Sequence, residues 1–572
     1  MIKIKIPYGI GNYKTLIEED YYFVDKTSFI EKLENLNEKT LVFLRPRRFG
    51  KSLFLSMLKY YYGSIYKDDF DPLFSKFYIG KKPTIKKNSY VILHFNFSGI
   101  NTKTNKVTVI NFLEKVKKGV KECLDSYFLC SEKISDDILG IEYSNIVLDR
   151  FFSYAQQQGK KLYILVDEYD HFANEILSFR YSDYLNSVGK NEFVRKFYEV
   201  IKSGTESGVV DRIFMTGVSP ITLDSLTSGF NIATHLTLRN QFHNMMGFHE
   251  KEVLDLLKLA NLDLGLINLL KKWYNGYRFC EDSDQRLFNS DMVLYFVSSY
   301  LAENKSPKDM MDTNISSDFG KMNKTFGIED RERNLKYLDE LLKEKEVYTY
   351  ITREFSLEKE FSKEDFLSLL FYMGVLSIKS QRGSLTVLSI PNLVIEKLYS
   401  KFFIKIIEEK SQVKLDFSTL EQSLNHLAFD GNINHLVKLC EDTLHSLSNR
   451  DFLNFDEKYT KLILFSYLNL SNLFFIKSEY EIEDGYIDLA LFEREVYKIS
   501  FQYAIELKYI KKSDYEKNPK ILNKKRDEAK AQMDKYLKSK EISELKQKKS
   551  CPLKTYILVF VGDECRVCEE VI

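Results

Sequence analysis

The apolar run Thr40 to Arg45 (TLVFLR) passes directly into Pro46-Arg47-Arg48-Phe49-Gly50-Lys51-Ser52 and then into LFLSML, whose apolar residues are spaced for a helix. A strand, a short loop and a helix that opens on Gly-Lys-Ser form the context of a phosphate-binding loop. The amides and dipole at the helix N-terminus attract anions. In that setting Lys51 would reach the β- and γ-phosphates of ATP, and Ser52 would hold Mg²⁺. The loop departs from the standard G-x-x-x-x-G-K-[ST] at its first glycine, where this chain has Arg45. That glycine relieves a tight turn, so its loss matters less than the loss of Lys51 would. The candidate nucleotide segment is therefore Arg45, Pro46, Arg47, Arg48, Phe49, Gly50, Lys51 and Ser52. Its three arginines add cations that could contact phosphate. They could equally pair with acids elsewhere or bind a nucleic-acid backbone.

Residues 1–245 alternate short apolar runs with helical stretches, the habit of an α/β layered domain. Four runs read as buried parallel strands: Thr40 to Arg45, Tyr90 to Phe97, Lys161 to Glu168 and Asp211 to Val218. The third ends in Asp167-Glu168. Two carboxylates at the end of an apolar strand are costly unless something binds them. Paired with the loop upstream they read as a Walker B strand, in which Asp167 meets the Mg²⁺ shell and Glu168 orients the attacking water. The plain alternative is a strand end with solvated acids. The fourth run ends FMTGVSP, where Thr216 and Ser219 are candidates to sense a γ-phosphate or simply form a polar turn before Pro220.

Residues 246–425 turn mostly helical, and within them KEDFLSLLFYMGVLSIKSQRGSLTVLSIPN reads as a helix and two strands joined at Arg382-Gly383, a winged-helix-like element. Residues 426–572 begin with helices and continue with strands at FFIKSEYEI, GYIDLALFE, YKISFQYAIELKYI and TYILVFVG. Here a second constellation stands out. Asp488 precedes Glu506 by one hairpin's length, and Lys508 lies two residues beyond, on the same side of a strand as Glu506. Two carboxylates on adjacent strands plus a lysine suit a metal-dependent phosphodiesterase. Asp488 and Glu506 would bind Mg²⁺ or Mn²⁺ through oxygen, and Lys508 would stabilise phosphate charge or position water. A salt-bridged strand pair is the plain alternative. Glu479 and Glu457 are weaker additions to this acidic group.

Three segments, YFVDKTSFI (Tyr22 to Ile30), RPRRFGKSLFLSML and WYNGYRF (Trp273 to Phe279), resemble the bacterial AAA-ATPase-like proteins that carry a PD-(D/E)xK nuclease domain at the C-terminus. The motifs match in order over nearly the whole chain. The resemblance implies a P-loop ATPase domain with a parallel sheet (1–245), a helical and winged-helix-like middle (246–425) and a C-terminal α/β nuclease-like domain (426–572). An arginine before the proline of the loop is usual in that family, so Arg45 looks like a family trait. The nuclease superfamily often completes its site with a glutamine and a tyrosine, and Gln532 and Tyr536 lie four apart on one helical face behind Glu506. The family's common arginine after Gly485 is Tyr486 here.

With 83 Lys and Arg against 82 Asp and Glu the chain is not a polycation, so a nucleic-acid surface must be local. Leu507 to Ser550 holds fifteen Lys/Arg and seven Asp/Glu, a net of +8, which suits a nucleic-acid backbone or a solvated helix face. The expected partner is nucleic acid, DNA in preference to RNA. Seven scattered cysteines imply no disulfide framework, and the longest apolar stretch, Leu462 to Ile476, is broken by Ser466, Asn469, Ser471 and Asn472. The expectation is a cytoplasmic protein with no membrane span. Cys565 and Cys568 lack a second pair for zinc, and His94, His171, Trp273, Tyr274 and Tyr277 read as structural. A ring homo-oligomer would need an arginine finger, for which Arg212 and Arg239 are guesses. The working reading is an ATP-regulated nuclease, in defence or mobile-element biology. The alternative is a nucleotide-dependent interaction switch whose nuclease-like domain binds without cutting.

Overall fold

A computed structural model describes residues 4–128, 131–171, 192–220, 232–312, 325–328, 330–353, 355, 361–412, 414–448, 456–482, 485–494, 496–539, 542–543 and 551–571. The chain gathers into two compact units, Met1–Ala302 with Asp312–Leu393, and Glu303–Met311 with Val394–Ile572.

The first unit is built on a five-stranded sheet. Its strands are β1 (Thr40–Leu44), β2 (Val91–Asn96), β3 (Leu162–Asp167), β4 (Val210–Gly217) and β5 (Thr234–His235). Their spatial order is β2-β3-β4-β1-β5, and every pair is parallel. All residues of β1 and β3 are buried, which explains why both read as unbroken apolar runs without alternation. The four strands expected from sequence are all present. β5 was not expected, because a two-residue strand carries no periodic signal. Parallel pairing points every strand the same way, so the tips of β1, β4 and β3 lie side by side. The phosphate-loop candidate leaves β1, and α1 (Lys51–Tyr62) follows it. Asp167 ends β3, and Thr216 sits on β4 between them.

The helical stretch supplies α2 (Glu250–Leu259), α3 (Leu266–Tyr274) and α4 (Ser290–Glu303). The winged-helix-like element is α5 (Lys363–Tyr372) followed by β7 (Ser377–Arg382) and β8 (Leu385–Ser389), joined at Gly383. A preceding strand, β6 (Glu346–Thr349), completes a three-stranded sheet in the order β6-β8-β7.

The second unit carries α6 (Glu457–Leu470) ahead of a sheet in the order β13-β12-β11-β10-β9. Its strands are β9 (Phe474–Ile482), β10 (Gly485–Glu493), β11 (Gln502–Ile510), β12 (Leu553–Val561) and β13 (Glu564–Glu570), with α7 (Ile521–Tyr536) between β11 and β12. β11 and β12 are parallel because α7 makes the crossover, while the other pairs are antiparallel. Ala529 and Met533 of α7 pack with Ile487, Ala504 and Ile557 of the sheet. The interrupted apolar stretch around Leu462 becomes the end of α6 and the start of β9. No helix among the described residues is long and apolar enough to cross a membrane.

Candidate nucleotide and nuclease sites

Gly50 caps α1 at φ +91°, a left-handed conformation that favours glycine, and this turn aims the first amides of the helix into the loop. Lys51 is buried, and its Nζ donates to the carbonyls of Arg45 and Pro46, both at 2.9 Å. Burial pushes its pKa down, against the pull of Asp167, Asp170 and Glu168. The Ser52 hydroxyl donates to Asp167 Oδ2 at 2.6 Å, so residues 115 positions apart converge on one point. Burial raises the Asp167 pKa while the Ser52 hydrogen bond and the Lys51 charge hold it down. Two convergent oxygens beside a buried ammonium form a donor set that fits Mg²⁺, a hard cation that keeps several waters. Glu168 sits at φ +50° and pairs with His171 at 3.4 Å. A cavity of about 370 Å³ adjoins the loop, lined by Gly50, Ser52 and Glu168 and by the apolar side chains of Tyr22, Phe23 and Phe248.

Arg45 is a correction to the phosphate-contact reading. Its side chain is fully buried and turned away from phosphate chemistry. The guanidinium donates to the carbonyls of Leu44 (2.9 Å), Thr237 (3.0 Å) and His243 (3.0 Å) and lies between the rings of Phe43 and Phe279, at 4.2 and 4.3 Å. Burial pushes its pKa down to about 9. Arg48 also has acid partners: it lies 4.0 Å from Asp291 and 3.5 Å from Asp312. Arg47 lines the cavity. Phe49 is buried edge-on to Tyr277 at 5.1 Å, and Pro46 packs against Gly374.

Thr216 is a second correction. Its hydroxyl is fully buried and donates to the Phe43 carbonyl at 2.8 Å, so it ties β4 to β1 instead of facing a phosphate. Ser219 is buried too, and its amide and hydroxyl donate to Asp170. Arg212 is a third. It is buried and donates to the carbonyls of Leu33 and Glu34, which rules it out as a finger reaching a neighbour. Arg239 pairs with Glu38 at 3.3 Å.

Sequence reasoning missed several groups that hold this loop. Asp170 fixes the tip of β4 through the amides of Val218 and Ser219. Asn289 donates to the Arg47 carbonyl and Ser290 to the Arg48 carbonyl, so the N-terminus of α4 cradles the loop's far side. Lys26, in YFVDKTSFI, donates to the Asn244 carbonyl and pairs with Glu252 at 2.6 Å. These are ordinary polar residues at unremarkable spacings and carry no local signal. WYNGYRF acquires a physical role here. Gly276 turns at φ +101°, where a Cβ would fall 2.0 Å from the Pro391 carbonyl oxygen. That turn delivers Tyr277 to Phe49 and Phe279 to Arg45.

In the second unit Asp488 and Glu506 meet across β10 and β11, one step beyond the pair Leu489↔Ile505. Asp488 Oδ2 accepts the Leu507 amide at 2.9 Å, which fixes the carboxylate. Glu506 Oε1 accepts from Lys508 Nζ at 2.8 Å, and Oε2 is buried with no partner. Burial, then the charge of Asp488, pushes the Glu506 pKa up to about 7. Glu457, on the first turn of α6, is raised by burial and shares the field of Lys508 and Asp488. Lys461 of the same helix, which sequence reasoning did not single out, lies 3.1 Å from Glu479 and 3.2 Å from Asp488. Tyr536 neighbours both carboxylates, which with burial raise its pKa, and Gln532 is exposed one turn earlier. Among the described residues no three His, Cys, Asp or Glu side chains form a metal-holding group. The fit to a divalent ion therefore rests on two oxygens, one of them an orphaned buried carboxylate oxygen, and Mg²⁺ or Mn²⁺ with retained waters suits such a pair.

His94 is half-buried on β2, and desolvation of its ring pushes its pKa down to about 4. Cys565 and Cys568 are free thiols, on β13. The basic segment is described through Ser539 and at 542–543; the remainder up to Ser550 lies outside the described residues.

Residues 7–227 match the model of a predicted AAA-ATPase family, and residues 455–570 match that of the PD-(D/E)XK nuclease superfamily. An uncharacterized protein in the vnfD 5′ region of Azotobacter chroococcum mcd 1 is 27% identical over 312 residues, 52% of this chain and 52% of that protein. The chain thus spans about half the length of the curated relative it matches. Two solved structures are similar at a distance. The crystal structure of Cdc6p from Pyrobaculum aerophilum is 10% identical, covers 66% of this chain and 93% of that one, and has a TM-score of 0.26. The Aeropyrum pernix ORC2 protein in ADPNP–ADP complexes is 9% identical, covers 66% and 92%, and has a TM-score of 0.30. Both scores are too low to lend this chain a role. On the two family matches, the chain joins a predicted AAA-ATPase region at residues 7–227 to a PD-(D/E)XK nuclease-superfamily domain at residues 455–570.

Proposed function

We propose that this protein is an ATP-binding, metal-dependent nuclease whose cleavage of phosphodiester bonds depends on its nucleotide state. The observation that carries the nuclease reading is the buried, unpartnered Oε2 of Glu506 beside Asp488, while Lys508 donates to the other oxygen, Oε1, at 2.8 Å. Asp488 and Glu506 would hold Mg²⁺ or Mn²⁺, which when bound supplies Lewis acidity and an activated water. Lys508 balances phosphate charge, Tyr536 borders the site, and Gln532, one turn earlier on α7, would complete it. In the first unit Lys51 is the phosphate ligand, Ser52 and Asp167 hold Mg²⁺, and Glu168 orients water for turnover. The apolar wall of Tyr22, Phe23 and Phe248 suits a nucleobase.

Chain connectivity supports nucleotide control. The chain leaves the first unit after Ala302 and returns at Asp312. Asp312 is the ion-pair partner of Arg48 in the loop, while Asp309, three residues earlier, pairs with the buried Lys397 of the second unit. On this reading a change at Arg48 would be passed along the chain from Asp312 to residues 303–311. Coupling of this kind requires ATP to bind two arrangements unequally. The reading extends to a division at 1–245, 246–425 and 426–572, to DNA in preference to RNA as substrate, to a cytoplasmic setting in bacteria, to homo-oligomers, and to defence or mobile-element biology.

The test is cleavage of plasmid, single-stranded DNA and RNA in Mg²⁺ or Mn²⁺, with and without ATP. Cleavage is expected to vanish in Asp488→Ala and to lose its ATP dependence in Lys51→Ala. Cleavage that ignores Asp488→Ala would remove the nuclease reading, and equal rates with ADP, ATP and no nucleotide would remove the coupling.

A further inference from the structure

Two lysines neutralise the carboxylate pair, and only one belongs to the E-x-K motif. Lys508 takes Glu506. The other, Lys461, arrives from α6, one turn after Glu457, and bonds Asp488 Oδ1 at 3.2 Å and Glu479 Oε1 at 3.1 Å. The second oxygen of Asp488 is committed to the Leu507 amide. A metal ion that binds Asp488 Oδ1 would have to displace Lys461 from that oxygen.

Glu479 stands across from Asp488 in the β9–β10 register, between the pairs Tyr480↔Ile487 and Ser478↔Leu489. It adopts φ +54°, a left-handed conformation inside a strand that non-glycine residues rarely take. Its side chain is 44% exposed, against 14% for both Lys461 and Asp488. Lys461 thus has one anchor within the site and one at its rim. With all four carboxylates ionised, Glu457, Glu479, Asp488 and Glu506 against Lys461 and Lys508 would give four negative and two positive charges, a net of −2. A divalent ion balances that charge.

We propose that Lys461 is a resident competitor for the divalent ion at Asp488, and that Glu479 receives its ammonium when the ion binds. This rests on the reading of Asp488 and Glu506 as metal-holding. The competition makes the site selective: a monovalent ion gains nothing over an ammonium of equal charge, whereas a divalent ion gains twice the attraction. Lys461 is therefore a positioning residue that sets the metal concentration at which the site fills.

The experiment is Mn²⁺ binding by the full chain, followed by water-proton relaxation without nucleic acid, in an Asp167→Ala background that removes the ion from the phosphate loop. Lys461→Met should lower the half-saturating Mn²⁺ concentration about tenfold, the ratio set by ~1.4 kcal/mol of relieved cation repulsion. Glu479→Gln should raise it, because the ammonium loses its second anchor, and should have no effect once Lys461→Met is present. An unchanged or raised midpoint in Lys461→Met overturns the proposal. If that variant does not fold, a Glu479→Gln midpoint equal to the parent's overturns it. Failure of the underlying reading looks different: Asp488→Asn would then bind Mn²⁺ as the parent does.

Discussion

Replacing Arg45 with methionine separates a structural arginine from a phosphate ligand. The substitution keeps length and apolar bulk and removes only the guanidinium. Three short hydrogen bonds to the carbonyls of Leu44, Thr237 and His243 disappear, together with stacking on Phe43 and Phe279. Each buried carbonyl left without a donor costs ~1–3 kcal/mol, and each aromatic face adds ~1 kcal/mol. Relief of burying a cation offsets several kcal/mol of that total. The expected net loss is ~3 kcal/mol, or a drop of about 1 M in urea midpoint for a slope near 3 kcal/mol/M. The chain has a single tryptophan, Trp273, buried at the end of α3 in the first unit, so its fluorescence reports that unit's unfolding. Below the transition, ATP affinity should stay within about threefold of wild type. Lys51→Ala should show the opposite balance, with binding lost and a smaller shift in midpoint. An Arg45→Met protein with an unmoved midpoint and no ATP binding would refute this account of the loop.

Glu506 ties stability to pH. Its pKa is raised in the folded chain, from an ordinary 4.5 to about 7, so the folded state holds the proton more tightly than the unfolded state. Its contribution is fully present below pH 4.5 and is lost as pH rises through 7, ~3 kcal/mol in all at ~1.36 kcal/mol per pH unit. Thermal unfolding of the second unit without divalent ions should therefore weaken between pH 5 and 8, and Glu506→Gln should flatten that slope; a wild-type profile already flat over this range would contradict the burial argument. Gly276→Ala should cost more than ~3 kcal/mol, because its Cβ would lie 2.0 Å from the Pro391 carbonyl oxygen at φ +101°. Gly50→Ala, whose Cβ meets nothing within 4 Å, should cost only the ~1–2 kcal/mol of backbone strain, and equal urea midpoints for the two variants would show that the Pro391 contact is not rigid.

Much of this was legible along the chain because it is local. A loop that opens a helix must sit at a strand end, and buried parallel strands must be apolar on both faces, so Thr40–Leu44, Leu162–Asp167 and Val210–Gly217 stood out. Period-two spacing put Glu506 and Lys508 on one face. The misreadings at Arg45, Thr216 and Arg212 share a cause. Residue type and proximity to a strand tip say nothing of which way a side chain leaves the sheet, and each of these three found a buried carbonyl in a segment distant along the chain.

By itself, then, the sequence determined which segments hold the Gly-Lys-Ser loop, the Asp167-Glu168 strand end and the Glu506/Lys508 pair, because helix N-termini, strand ends and i, i+2 spacing are set by backbone geometry over a few residues. Only the tertiary structure decided which partner each of their polar groups takes. It brought Ser52 to Asp167, stacked Phe279 on Arg45 and placed Lys461 on Asp488. Those outcomes follow from burial, since a charge removed from water takes whatever donor or acceptor the packed chain offers, and that partner is selected by the fold and not by distance along the sequence.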